Sequence, residues 1–222
     1  MSINKEKYKK LVSELQQVKL IAVSKKKSAG DIKALYELGQ KDFGENYVQE
    51  LVDKYEQLPK DIRWHFIGHL QTNKVKYIAP FVSLIHGVDS FKLLKEINKE
   101  GEKNNRIINC LLQIYIAQEE TKFGFNEDEL DDIFGSEELK NLKNIKIIGL
   151  MGMASLTEDE ETIRNEFRYL KTLFNSYIKL KTNNCQLTTL SLGMSADYKI
   201  AVDEGSNMVR IGSLIFGERK QN

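Results

Sequence analysis

The chain is short of the residues that staple, segment or metallate a protein. Its 222 residues include two cysteines, two prolines and three histidines. Cys110 and Cys185 are far apart and form no C-x-x-C pair, so they read as reduced thiols of a cytoplasmic protein. His65, His69 and His86 make no H-E-x-x-H, and no metal site is expected. No apolar run approaches the ~20 residues of a transmembrane helix. The first seven residues are polar and lack the apolar stretch of a secretory signal. Charge is also balanced: Lys+Arg 33 against Asp+Glu 32 leaves +1, so no net field draws nucleic acid or membrane as a main partner. With two prolines and no Gly/Ser-rich linker, the expectation is one domain over 1–222, with a helix in 1–17 and the remainder in 18–219.

What the chain does contain is alternation. Runs rich in Val, Ile and Leu occur at 19–24, 42–46, 63–67, 82–86, 107–114, 146–151, 187–192 and 208–211. Between them lie helical spacings. Tyr47, Val48, Leu51, Val52 and Tyr55 share a face, and Ile163, Phe167, Leu170, Phe174 and Ile178 form a longer stripe. Thr157-x-x-Glu160 reads as the capping box of that stripe; Asn126 with Glu129, and Ser90, read as further helix starts. Strand–helix alternation throughout implies a parallel sheet with helical crossovers. Eight repeats fit a (β/α)₈ barrel near the small end of that fold's range of roughly 200 residues upward. A doubly wound open sheet is the other arrangement this order permits.

Barrels of this kind bind ligands at the C-terminal ends of their strands, and the unusual polar residues fall there. Lys25 ends the first strand, Glu45-Asn46 the second and Gly68-His69 the third; Met194-Ser195 follow the seventh, and Arg210-Ile211-Gly212-Ser213 lie on and after the eighth. An amine condenses with an aldehyde only when neutral, and repulsion within Lys25-Lys26-Lys27 works in that direction. The same triple also reads as solvated strand-end lysines, of which alternation aims at most one of Lys25 and Lys26 inward. Ser195 reads as the N-cap of a helix over 196–204 with Gly205 after it, where a phosphate would meet free N–H groups, or as a plain cap. Gly212-Ser213 supply either the second half of a phosphate cup or an ordinary turn. Arg210 cannot lose its charge and needs an acceptor, either a pyridine nitrogen or a barrel glutamate such as Glu45. His69 reads as a loop residue with a structural bond, or as one that stacks or hydrogen-bonds near a cofactor, and Trp64 reads as packing. An amine, a phosphate cup and an arginine suggest pyridoxal 5′-phosphate (PLP).

Taken together these segments resemble the pyridoxal phosphate homeostasis proteins of the YggS/PROSC type. The resemblance rests on Ala22-Val23-Ser24-Lys25, Phe43-Gly44-Glu45-Asn46-Tyr47-x-Gln49-Glu50, and the run Trp64 to Lys74. It continues in Gly149-Leu150-Met151, Leu192-Gly193-Met194-Ser195-x-Asp197 and Val209-Arg210-Ile211-Gly212-Ser213-x-Ile215-Phe216-Gly217-x-Arg219. It implies the barrel of the alanine racemase N-terminal domain, with PLP as an internal aldimine on Lys25. Ser195, Gly212 and Ser213 would hold the phosphate, with Met194 beside them. Arg210 would face the pyridine nitrogen, and Asn46 the aldimine end of the ring. One departure is visible: Gln113-Ile114-Tyr115 stands where the family tends to carry Gln-Val-Asn, before Glu119 and Lys122-x-Gly124 match again.

Racemisation needs a second base on the opposite face of the substrate. In alanine racemases a tyrosine from an extra β domain supplies it, and this chain ends ten residues after Gly212, leaving Tyr47 and Tyr115 as the nearby candidates. The expectation is therefore a PLP carrier in cofactor homeostasis without robust turnover, monomeric, with apo PLP-dependent enzymes as acceptors. A weak amino acid racemase and a Schiff-base aldolase are the enzymatic alternatives.

Overall fold

The computed structural model describes residues 3–117 and 123–217. Six strands come first: β1 (Lys19–Val23), β2 (Asp42–Glu45), β3 (Arg63–Phe66), β4 (Leu84–Val88), β5 (Ile108–Gln113) and β6 (Ile145–Met151). The two-residue β7 (Lys181–Thr182) turns back antiparallel onto β8 (Cys185–Ser191), and β9 (Met208–Ile211) is last. Without β7, the eight others are all parallel and neighbour one another in the order β6-β5-β4-β3-β2-β1-β9-β8. Pairing of β6 with β8, in register Leu150↔Leu190 and Met151↔Ser191, closes the ring. The fold is a TIM barrel, and closure excludes the open sheet. β7 is too short for any periodicity to reveal.

Helices fill the crossovers, and their starts follow local chemistry. Asn4 caps the N-terminal helix Lys5–Leu15. Ser90 caps Phe91–Lys103, its hydroxyl accepting from Leu93 N. Asn126 and Glu129 form the expected reciprocal box at 2.9 Å in both directions. The helix Glu160–Tyr177 corrects its expectation: Asp159, not Thr157, is the cap, accepting from Glu161 N at 3.1 Å. A carboxylate adjoining the first turn outcompetes a hydroxyl farther out, because it complements the helix dipole as well as accepting the bond. Thr157 instead accepts from Asp159 N. Tyr47 is the residue before the helix Val48–Gln57, not on its buried face, and is 53% exposed. Ile178 likewise lies past the end of its helix and is exposed.

Two apolar layers result. The outer one packs strand residues such as Phe43, Trp64, Phe66, Val209 and Ile211 against helix residues such as Leu51, Leu94 and Phe167. Each such fully buried side chain contributes about 1.5–3 kcal/mol from burial. The inner one is small: Ile21, Leu84, Leu111, Met151 and Met208 meet inside the ring. Above and beside this plug the interior is polar, which is what leaves room for a site.

Candidate functional site

A cavity of about 330 Å³ opens at the C-terminal ends of β1, β2, β8 and β9. Lys25, Asn46, Met194, Ser195, Arg210, Gly212 and Ser213 all line it. The structure thus brings together every residue singled out as a cofactor ligand. It adds Lys27 and Met153, which sequence reasoning missed. Lys27 lies past the end of β1, beyond the turn at Lys25-Lys26, where strand alternation carries no information.

The Lys25 turn is held from behind. Lys26 has φ +60 and faces solvent, and its N–H donates to Glu50 Oε1 at 2.5 Å. The buried Lys54 ammonium bonds Glu45 Oε1 at 2.8 Å, Glu50 Oε1 at 2.6 Å and the Ser24 carbonyl at 2.8 Å. Ser24 Oγ donates to Glu45 Oε1 at 2.5 Å. Burial pushes the Glu45 carboxyl up from its ordinary value against the opposing pull of Lys54. Glu45 therefore sits on the helix side of β2, so the alternative in which it pairs with Arg210 is overturned.

Arg210 points inward, since Val209 and Ile211 occupy the outer layer. Its Nη1 donates to the Ser191 carbonyl at 2.8 Å and Ser191 Oγ at 2.7 Å, and its Nη2 to the Gly152 carbonyl at 3.0 Å. These acceptors are neutral. Burial lowers the guanidinium to about 10, with Asp197 opposing, so the group stays charged at neutral pH. Lys25, Lys27 and Arg210 line the cavity, and among the described residues no carboxylate does. The arrangement suits an anion.

The phosphate half of the site differs from the expected helix cap. The helix begins at Tyr198 and runs only to Asp203, so Ser195 lies in the turn before it. Asp197 Oδ1 accepts from Met194 N at 2.5 Å and so ties the turn together ahead of the helix. Ser195 Oγ instead accepts from Gly212 N at 3.3 Å, joining the loops that follow β8 and β9. The backbone N–H groups of Ser195, Ala196 and Ser213 find no acceptor among the described residues. A side chain at 212 would press on β1, its Cβ 3.1 Å from the Val23 carbonyl oxygen. Gly205 follows the helix with φ +91, as expected. Met194 is partly exposed at the rim. Asn46 Oδ1 is buried with no hydrogen-bond partner among the described residues, an acceptor that a ligand's donor could satisfy.

Other expectations resolve plainly. His69 bonds Asp89 at 2.9 Å and stacks on Phe123, while Trp64 is fully buried against Phe43. Tyr47 lines a neighbouring cavity of about 380 Å³ that shares Asn46, and Tyr115 lines neither cavity. Neither tyrosine is in the Lys25 cavity. Glu119, Lys122 and Arg219 lie outside the described residues. Cys110 and Cys185 are buried and unpaired; burial raises both thiols, that of Cys185 to about 11. Among the described residues no cluster could hold a metal ion, and no helix is long and apolar enough to cross a membrane.

Residues 3–220 match the family described as alanine racemase, N-terminal domain. The pyridoxal phosphate homeostasis protein of Aquifex aeolicus (strain VF5) is 43% identical over 203 residues, 91% of this chain and 87% of that one. PipY of Synechococcus elongatus PCC7942, in its structure with PLP bound, shares 33% identity at a TM-score of 0.87. That match covers 96% of this chain and 99% of that one. An alanine racemase from Streptomyces coelicolor A3(2) superposes with a TM-score of 0.75 at 13% identity over 57% of its length, a likeness of fold alone.

Proposed function

The chain belongs to the alanine racemase N-terminal-domain family, and from that membership we propose that it holds PLP covalently through Lys25 and serves PLP homeostasis without robust turnover. One observation carries the reading: residues following β1, β2, β8 and β9 converge with Arg210 on a single cavity that Lys25 and Lys27 also line, with no carboxylate among the described residues. The name of the Aquifex relative and the PLP in PipY support it. When bound, PLP supplies an electron sink for chemistry at an amino acid's α-carbon. Ser195, Gly212 and Ser213 would hold the phosphate through hydroxyls and backbone N–H groups. Arg210, a donor that cannot accept, would face the pyridine nitrogen and keep it unprotonated, which weakens the sink. Asn46 would meet the aldehyde end of the ring. Neither Tyr47 nor Tyr115 lines the cavity, so neither is placed as a second base. Acceptors of the carried cofactor would be apo PLP-dependent enzymes, met by the chain as a monomer.

Two measurements test this reading. With PLP-loaded protein and a panel of L-amino acids in D₂O, proton NMR should show no α-proton exchange while the cofactor stays bound. Exchange at a catalytic rate, abolished by Lys25→Ala, would make the protein an enzyme. For the phosphate half, Ser195→Ala should weaken PLP about tenfold or more, the loss of one hydrogen bond to a charged group at ~1.5–3 kcal/mol. Unphosphorylated pyridoxal should be affected little. Equal losses for both ligands in equilibrium dialysis would remove Ser195 from the phosphate site.

A further inference from the structure

A line of polar side chains crosses the barrel interior from the Lys25 cavity to the opposite end. Asp42, His65, His86, Ser191 and Arg210 come from five different strands, and all five are buried. Arg63 clamps Asp42 with Nε to Oδ1 at 2.8 Å and Nη2 to Oδ2 at 2.5 Å. His65 Nε2 is 3.0 Å from Asp42 Oδ1, and His65 Nδ1 is 2.9 Å from His86 Nε2. His86 Nδ1 lies 3.4 Å from Ser191 Oγ, the longest step, and Arg210 Nη1 lies 2.7 Å from that same oxygen.

Elementary bookkeeping of donors orders this line in one direction. Hydrogen bonds from Arg63 and His65 outweigh the burial that would raise the Asp42 carboxyl, and hold it well below the usual range. An ionised carboxylate accepts only, so His65 carries its proton on Nε2. Burial lowers both imidazoles below their ordinary value, against the pull of Asp42 on His65 and with added repulsion from His65 and Arg210 on His86. Neutral rings have one N–H each. His65 Nδ1 must then accept, and His86 Nε2–H is the donor it faces. His86 Nδ1 becomes an acceptor, which takes the Ser191 hydroxyl proton. Ser191 Oγ is left with lone pairs for Arg210, which can only donate. Reversing the His86 tautomer would set two lone pairs against each other at 2.9 Å.

We propose that His65, His86 and Ser191 are positioning residues, a one-way relay anchored on Asp42 that locks the Arg210 guanidinium and presents its remaining N–H groups to the cavity. This rests on the reading that Arg210 faces the PLP ring. The order of donors matters because a serine hydroxyl that can turn its proton toward Arg210 is a poor anchor, whereas one committed to His86 is a fixed acceptor.

The test has two arms. Long-range ¹H–¹⁵N NMR of the cofactor-free protein at pH 7 should find both His65 and His86 neutral, with hydrogen on Nε2 and none on Nδ1. A proton on Nδ1 of either ring, or an imidazolium, overturns the relay. This arm needs no variant and no cofactor, so it is decided even if the protein takes up no PLP, a result that would sink the functional reading instead. The second arm is a double-mutant cycle on the PLP dissociation constant. His86→Phe and Ser191→Ala should each weaken PLP about tenfold, and the double variant should lose no more than either alone, because both cut one link. Losses that multiply to about a hundredfold show two independent contacts and overturn the proposal.

Discussion

Borohydride reduction of the PLP-loaded protein is expected to fix one cofactor per chain on Lys25, and Lys25→Ala to abolish the label completely. Three consecutive lysines make this a demanding assignment, and the structure separates them. Lys26 takes a left-handed backbone conformation at φ +60 and projects into solvent. Lys27 shares the cavity, but its ammonium donates to the Phe216 carbonyl at 3.1 Å and lies 5.9 Å from the centre of the Phe216 ring. Those contacts tie the Lys27 amine to the Phe216 segment and occupy it there. Lys25 lies in the turn two residues past β1 and lines the cavity with Asn46 and Arg210. Peptide mapping by mass spectrometry after reduction decides the matter. Label confined to Lys25, retained in Lys26→Ala and absent in Lys25→Ala, is the expected pattern. Label found on Lys27 of the unaltered protein would contradict the assignment.

How far such a site can be read from sequence depends on what each residue's position requires. Lys25, Asn46, Ser195, Arg210, Gly212 and Ser213 stand at or just beyond strand ends, and once the alternation says barrel, the strand ends converge by topology. The relay was invisible for the complementary reason. His86 and Ser191 are 105 residues apart and meet only because β6 closes onto β8, bringing opposite walls face to face. The one clue was local: His65 stands between Trp64 and Phe66, a polar residue at an inward position of an apolar strand. Ser195 reads as a cap because cap preferences do not register the Asp197–Met194 bond, and the helix starts at Tyr198. Asp159 displaced Thr157 by the same kind of local competition. Tyr47 kept the right spacing for the helix face yet fell one residue outside it, where a period carries no information.

Gly149→Ala is expected to destabilise the barrel severely and to disturb the site with it. Gly149 lies on β6 opposite Thr189 of β8, in the seam that closes the ring. The ladder shifts register between Ile147 and Gly149, so the two backbones approach closely there. A Cβ at 149 would sit 1.8 Å from the Thr189 carbonyl oxygen and 2.6 Å from its carbon. Those atoms belong to the backbone and cannot swing aside, unlike the tip of a side chain. The strands must therefore separate. Overpacking alone costs about 1–3 kcal/mol, and each ladder hydrogen bond lost adds about 1 kcal/mol. A total near 4 kcal/mol or more approaches the 5–15 kcal/mol that holds a typical domain together. The consequence for function is direct, because three residues along the same segment the Gly152 carbonyl receives Arg210. Gly135→Ala makes the control: it ends the helix Glu127–Gly135 with nothing within 4 Å of an added Cβ, so it should be neutral or slightly stabilising. Thermal melts followed by circular dichroism should show Gly149→Ala unfolded or melting more than ten degrees lower, with Gly135→Ala unchanged or higher. A Gly149→Ala protein that melts with the parent and still retains PLP would mean that the β6–β8 seam yields, and that the position of Arg210 does not depend on it.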